Sequence, residues 1–355
     1  MAHHVTLIPE WAEQDLVLIT WPNATMDWAY MLPEIESCYI ELAHAILEWE
    51  DLLVLARDPE RVRTLLMTKP LRNELFVMEM DTNDTWCRDY APLSLSVRDE
   101  AGTERPMIVD FTFNAWGLKF PAHKDNLVSR ALFLSRSFIA EMGYTNALSL
   151  TFEGGGIESD GQGTLLTTAS VLFEPNRNAG LSEEALQGYL REVLGADRLI
   201  VLEHGALEGD DTDGHIDTLA RFLSPTQIAY VGCTDGNDPH YQALGRMRGE
   251  LEELRTAEGE PYELIELPLP PAIYDEEGER LPATYANFLF VNGALLVPIY
   301  NVETDELALE TLRQALPDCT IVPVYCRPLV KQHGSLHCAT MQFPRGFMNK
   351  GKWRE

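Results

Sequence analysis

The chain has 355 residues, 45% of them hydrophobic, and a formal net charge of −29. The apolar content supplies a sizeable core, and the charge makes nucleic acid and anionic membranes poor partners. No run of about 18 apolar residues signals a membrane-spanning helix, MAHHVTLIPEW lacks the basic and apolar regions of a secretory leader, and the cysteines at 38, 87, 233, 319, 326 and 338 show no CxxC spacing, so reduced thiols in a cytoplasmic protein are expected.

Taken in chain order, five amphipathic helices are each followed by a short apolar strand. Residues 34–49 precede LLVLA (52–56), residues 125–142 precede ALSL (147–150), and residues 182–194 precede RLIVL (198–202). Residues 239–257 precede YELIEL (262–267), and residues 305–316 precede CTIVPV (319–324). The third helix carries its own punctuation: Ser182 as N-cap, Glu183 and Glu184 at the positive end, Gly195 to close it. Hairpins are expected at SDGQG (159–163) and VNGA (291–294), each with a two-residue turn signal. A further helix around 59–68 leads to LFVMEM (75–80) and reads as an insertion after the first strand. A strand–strand–helix–strand cassette repeats without a linker. The expectation is therefore one α/β domain over residues 1–355, built with internal pseudo-symmetry.

Polar stretches keep step with the cassette: NDTWCRD (83–89), EGGG (153–156), DDTDGHID (210–217), ATYANF (283–288) and HGSLHC (333–338). Asp89, Glu153, His215, Asn287 and Cys338 mark them at spacings of 64, 62, 72 and 51 residues. Units arranged around an axis would bring these loops to one pocket. His215 and Asp217 are expected to alternate on a strand and share a face.

The chemistry follows from the residue types. A thiol with a pKa of about 8.5 needs a base or a positive neighbour to become a nucleophile, and His215 can move the proton. Carboxylates beside a thiol oppose its ionisation unless the substrate is a cation. A guanidinium is planar, permanently charged and bound by carboxylates through paired hydrogen bonds. Attack by Cys338 on its central carbon would release ammonia, and hydrolysis of the covalent intermediate would leave a ureido product. A zinc site from His333, His337 and Cys338 is a rival reading. So are amidino transfer to an amine and a non-catalytic binding protein for arginine-like cations. The acidic run 274–280 is a candidate lid.

Six stretches in order, NDTWCRD, FNAWG (113–117), EGGGIESDGQGTLLTT (153–168), TDGHIDTLARF (212–222), NFLFVNGALLVPIY (287–300) and HGSLHCATMQFP (333–344), together resemble the agmatine deiminase and bacterial peptidylarginine deiminase family of the guanidino-group-modifying superfamily. The resemblance implies a five-bladed α/β propeller (pentein) of ββαβ units with the site at its centre. It implies Cys338 as nucleophile, His215 for proton transfer with Glu153 as its partner, and Asp89 and Asp217 on the guanidinium nitrogens. It implies Trp86 stacked near the substrate and Asn287 lining the pocket, with Trp116 a further candidate substrate contact. No metal or cofactor is implied, the partner is a small cationic guanidino compound, and a homo-oligomer is compatible with the sequence. WCRDYAP departs from the family by Ala91 in place of a glycine. Peptide-acting relatives carry arginines in the stretch matching FNAWGLKF (113–120), where this chain has only Lys119. Agmatine is therefore the expected substrate, with arginyl peptides second.

Overall fold

A computed structural model describes residues 4–354. Its strands form five sheets, and each contains the same unit: an antiparallel strand pair, a crossover, and a third strand parallel to the second. The crossovers are long because parallel neighbours cannot be joined by a tight turn. In the third unit, Glu158–Ser159 and Thr164–Thr168 pair antiparallel, helix Glu183–Leu194 crosses over, and Arg198–Leu202 returns parallel. The fourth uses Ala220–Ser224, Gln227–Gly232, helix Tyr241–Glu253 and Glu263–Pro268. The fifth uses Leu289–Val291, Ala294–Ile299, helix Asp305–Ala315 and Thr320–Tyr325. The second is Leu93–Arg98, Glu104–Thr112 and Gly143–Thr151, with His4–Leu7 added along its edge.

The first unit closes the circle. Its opening strand is the last of the chain, Thr340–Pro344, paired antiparallel with Gln14–Thr20. Helix Leu32–Leu47 then leads to Asp51–Ala56, and the expected insertion, helix Pro59–Leu66 with strand Leu75–Glu79, extends this sheet. The expected five-bladed α/β propeller is thus the observed architecture. The adjoining strands Leu16–Ile19 and Leu52–Leu55 are completely buried, which explains their unbroken apolar sequence: parallel strands covered on both faces do not alternate.

The best-punctuated helix forms as read. Ser182 accepts from the Ala185 amide at 3.2 Å, Leu186, Leu190 and Leu194 form its buried stripe, and Gly195 ends it at φ 70°. That position requires glycine twice over, since a Cβ there would sit 2.0 Å from the Val5 carbonyl oxygen.

Three local expectations are corrected. The helix expected over 125–142 is a 3-10 turn, Asp125–Leu127, and a short helix, Val128–Leu134. Arg136 then turns left-handed at φ 59°. The following backbone pairs instead with the C-terminal segment, through Ile139 N to Phe347 O at 3.0 Å and Asn349 N to Ser137 O at 2.8 Å. The 159–163 hairpin is wider than a two-residue turn. Ser159 faces Leu165, and Gly161 and Gly163 both have positive φ while the Asp160 carboxylate accepts from the Gln162 and Thr164 amides. His215 and Asp217 do not lie on a strand; Ile216–Thr218 is a 3-10 turn with His215 at its N-cap. Asn292–Gly293 does form the expected two-residue turn, with Val291 facing Ala294 and Gly293 at φ 82°. No helix among the described residues is long and apolar enough to cross a membrane.

Candidate active site

Each sequence-selected polar residue occupies an equivalent place, just ahead of the first strand of a unit. Asp89 sits in the single turn Cys87–Tyr90 before Leu93–Arg98. Glu153 precedes the turn Gly154–Gly156 and strand Glu158–Ser159. His215 and Asp217 precede Ala220–Ser224, Asn287 precedes Leu289–Val291, and Cys338 precedes Thr340–Pro344. Because the units close a circle, these five loops meet.

Their side chains are in mutual reach. The Cys338 sulfur lies 3.3 Å from Asn287 Nδ2 and 3.7 Å from Asp217 Oδ2. Asn287 Oδ1 accepts from the His337 and Cys338 amides at 2.9 and 3.3 Å, which orients its NH2 group toward the sulfur. His215 Nδ1 is 3.6 Å from Asp89 Oδ1, and its Nε2 is 3.8 Å from Glu153 Oε2. Those lengths make both carboxylates charge neighbours rather than hydrogen-bond acceptors. Asp89 is fixed by Trp116 Nε1 at 2.9 Å and by the Gly155 amide at 2.8 Å. The lack of a side chain at Gly155 keeps the centre open. A Cβ there would stand 2.6 Å from His215 Nδ1 and 2.8 Å from Asp89 Oδ1.

A cavity opens onto this cluster. Cys338 and Asp89 lie in its lining, with Trp86 and Trp116 among its walls. Trp86 also packs against Trp28, with ring centroids 5.6 Å apart, and its indole closes over Gly334. Residues 274–280, the candidate lid, contribute nothing to this lining.

Electrostatics set the resting protonation. Burial pushes the Cys338 thiol well up, and Asp217 and Asp89 add to the effect. Burial opposes charge on His215, but Asp89, Glu153 and Asp217 outweigh it and raise the imidazole to about 9. Burial raises Asp89, reinforced by Asp217 and Glu153 against His215. Asp217 is held below its ordinary value despite burial by His337, His215 and Arg221. Glu153 is likewise lowered, against burial, by His215 and Arg177. At neutral pH the resting site therefore holds the Cys338 thiol, the His215 imidazolium and the carboxylates of Asp217 and Glu153. Both nitrogens of His215 and Asp217 Oδ1 are buried with no hydrogen-bond partner among the described residues. A planar cation entering the cavity would supply donors and positive charge where the site lacks them, and would favour the thiolate.

The geometry weighs against the rival zinc reading at His337, both of whose nitrogens are engaged by carboxylates at 2.7 Å. Asp89 is not an ion-pair partner of Arg88, whose guanidinium turns instead to the His337 carbonyl and Glu10.

Arg177 lies in no motif and was missed by sequence reasoning. From the one-turn helix Pro175–Asn178, its Nε donates to both Glu153 oxygens at 3.0 and 2.8 Å. Its Nη1 reaches Asp213 at 2.9 Å, and its Nη2 reaches the Thr212 carbonyl at 2.9 Å. The Arg177 and Glu153 side chains are 1% and 0% exposed. Breaking such a pair strands a buried charge, so Arg177→Ala is expected to cost about 3–5 kcal/mol of stability. Urea unfolding checks this; a loss under about 1 kcal/mol, typical of surface pairs, would contradict it.

Comparison with known proteins agrees with this geometry. The profile of the Porphyromonas-type peptidyl-arginine deiminase family matches residues 6–344. Agmatine deiminase from Stutzerimonas stutzeri is 31% identical, over 96% of this chain and 95% of its own. A solved structure from Porphyromonas gingivalis, provisionally named an arginine deiminase, is 51% identical with a TM-score of 0.91, covering 97% of this chain and 100% of that one. A cysteine-to-serine variant of C. jejuni agmatine deiminase, with substrate bound, is 36% identical with a TM-score of 0.89, covering 98% of each chain. With its five loops converging on a cysteine, a histidine and carboxylates, the chain belongs to the Porphyromonas-type peptidyl-arginine deiminase family and is a hydrolase of the guanidino carbon–nitrogen bond.

Proposed function

We propose that this protein is an agmatine deiminase, converting agmatine and water to N-carbamoylputrescine and ammonia. The observation that carries the reading is the charge of the cavity mouth. Besides Asp89, the carboxylates lining the cavity are Asp27, Asp84 and Asp211, and among the described residues the lining contains no arginine or lysine. Burial, with Asp27 nearby, pushes Asp84 up to about 7, which a bound cation would reverse. Lys119, from the stretch that carries arginines in peptide-acting relatives, is occupied: its ammonium contacts Asp213 Oδ1 and the Asp211 carbonyl, both at 2.6 Å. A substrate with an ammonium at its far end suits this mouth, and one with a carboxylate is repelled.

In the proposed mechanism the guanidinium sits against Asp89 and Asp217, its charge drives the Cys338 thiol to release its proton to water in the cavity, and the thiolate attacks the central carbon. The imidazolium of His215 gives its proton to the departing nitrogen, which leaves as ammonia. The neutral ring then takes a proton from water, which adds to the carbon of the thiouronium intermediate. Collapse expels the thiolate, which takes up the remaining hydroxyl proton to restore the thiol and leaves the neutral urea group. Glu153, anchored by Arg177, stabilises the imidazolium in each cycle. We place the enzyme in the cytoplasm, supplying a precursor of putrescine.

Peptidylarginine deimination is the second reading, favoured by the family's description. The two separate in one assay of ammonia release from agmatine, arginine and a C-terminal arginyl peptide. Like-charge juxtaposition costs several kcal/mol and each 1.4 kcal/mol is about tenfold, so kcat/KM for agmatine is expected to exceed that for the peptide by at least about 100-fold. A higher kcat/KM for the peptide would replace the first reading with the second.

A further inference from the structure

Behind the cysteine lies a buried ionic chain that the mechanism above does not use. His337, adjacent to Cys338, sets Nδ1 2.7 Å from Asp217 Oδ2 and Nε2 2.7 Å from Glu10 Oε2. The same Glu10 oxygen accepts from Arg221 Nη2 at 2.6 Å, and Arg88 stands 3.9 Å from it. Arg221 Nε donates to Glu158, and its Nη1 donates to the Phe288 carbonyl at 2.8 Å. None of Glu10, Arg88, Glu158, Asp217, Arg221 and His337 is more than 8% exposed.

A neutral imidazole donates from one nitrogen only, whereas here both nitrogens of His337 meet carboxylate oxygens at 2.7 Å, so the ring bridges Asp217 to Glu10. Two carboxylate oxygens and an imidazole nitrogen, from Glu10, Glu158 and His337, lie within 4.8 Å of one another, as metal ligands could, but the Arg221 guanidinium already bridges the two glutamates.

We propose that His337 is a positioning residue for the deimination: its Nδ1–H fixes Asp217 Oδ2 beside Cys338, its Nε2–H is anchored on Glu10, and Asp217 Oδ1 is thereby turned to the substrate. This rests on the deiminase reading of the site. Asp217 Oδ1 is the buried oxygen left without a partner among the described residues, as a guanidinium acceptor would be. The groups that face Asp217 include His337, His215, Arg221, Asp89 and Cys338; His337 makes the short hydrogen bond to its carboxylate, 2.7 Å, against 3.7 Å for the Cys338 sulfur. The N-terminal Glu10 is thus wired to the nucleophile's neighbour by one side chain.

Two substitutions separate positioning from mere support. The amide of asparagine occupies the place of Nδ1 and keeps the donor to Asp217. The amide of glutamine reaches the place of Nε2, keeps the contact to Glu10, and abandons Asp217. With agmatine as substrate, His337→Asn is expected to retain kcat/KM within about tenfold, and His337→Gln to lose about 100-fold or more, the scale of a misplaced reacting partner, although both melt at similar temperatures. A second readout needs no turnover: the pH profile of Cys338 alkylation by iodoacetamide, followed by peptide mass spectrometry. Asp217 raises the thiol's pKa, so releasing it in His337→Gln should move the profile to lower pH, while His337→Asn leaves it in place. Equal losses that follow melting temperature, greater activity in Gln than in Asn, or an unmoved alkylation profile in both would overturn the proposal. If His337→Gln does not fold, His337→Asn decides: a folded variant that has lost 100-fold refutes the role. A wild-type enzyme inert toward every guanidino compound would sink the deiminase reading instead, and the alkylation profiles would still decide the coupling of His337 to Asp217.

Discussion

Cys338→Ala is expected to abolish ammonia release, with kcat falling by at least about 10⁴-fold, the scale seen when a covalent nucleophile is removed. No other sulfur can substitute for it. Cys87 Sγ is buried and turned to the Leu18 and Ala339 carbonyls at 3.4 and 3.2 Å, and Cys326 is buried away from the cavity lining. Cys87→Ala and Cys326→Ala should therefore keep most activity. The fold should tolerate Cys338→Ala, because the sulfur's contacts are to Asn287 and Asp217, each of which keeps other partners. Ammonia release with matched circular dichroism checks this. Near-normal turnover by the variant would end the covalent mechanism. Trapping should also depend on substrate: with burial and two aspartates holding the thiol up, a mass adduct at Cys338 should build with a slow guanidino substrate.

Where the sequence proved readable, the reason was physical periodicity. Apolar strand runs and capped helices repeat because every unit must bury the same faces, so the five-unit count was visible without residue identity. The five polar stretches stood out because a loop rarely needs Asp, Glu, His, Asn or Cys at a fixed step of the repeat, and all of them do converge. The illegible parts are long-range. Arg177 comes from a one-turn helix with no motif, and its role exists only because Glu153 and Asp213 arrive from other units. Glu10 reads as an ordinary surface acid near the N-terminus, yet it is 8% exposed and reaches Arg221 and His337. His337 carried a signal, its place beside Cys338, but the zinc reading that used it overlooked the carboxylates waiting on both sides of the ring. The 125–142 helix failed because the C-terminal segment offers residues 137–139 a backbone partner that periodicity alone does not reveal.

His215→Asn is expected to lower kcat by about 10²–10⁴-fold, the usual contribution of a positioned acid–base group, and to change the pH dependence in a defined direction. The resting imidazole is raised from 6.5 to about 9: burial works against its charge, but Asp89, Glu153 and Asp217 outweigh it. The departing nitrogen needs that proton, so kcat/KM of the wild type should fall as pH rises through about 9, and this alkaline limb should be missing from His215→Asn. The same shift acts on folding. A base with a raised folded pKa stabilises fully below its unfolded value and loses that contribution as pH rises through the folded one. Wild-type stability should therefore decline between about 6.5 and 9 relative to His215→Asn, read from urea midpoints at each pH. Asp89→Asn separates the causes. It removes the first of the carboxylates that hold the imidazolium, so it should move the alkaline limb to lower pH as well as weaken guanidinium capture. An alkaline limb at the same pH in the wild type and in Asp89→Asn would mean that a group other than His215 supplies the proton.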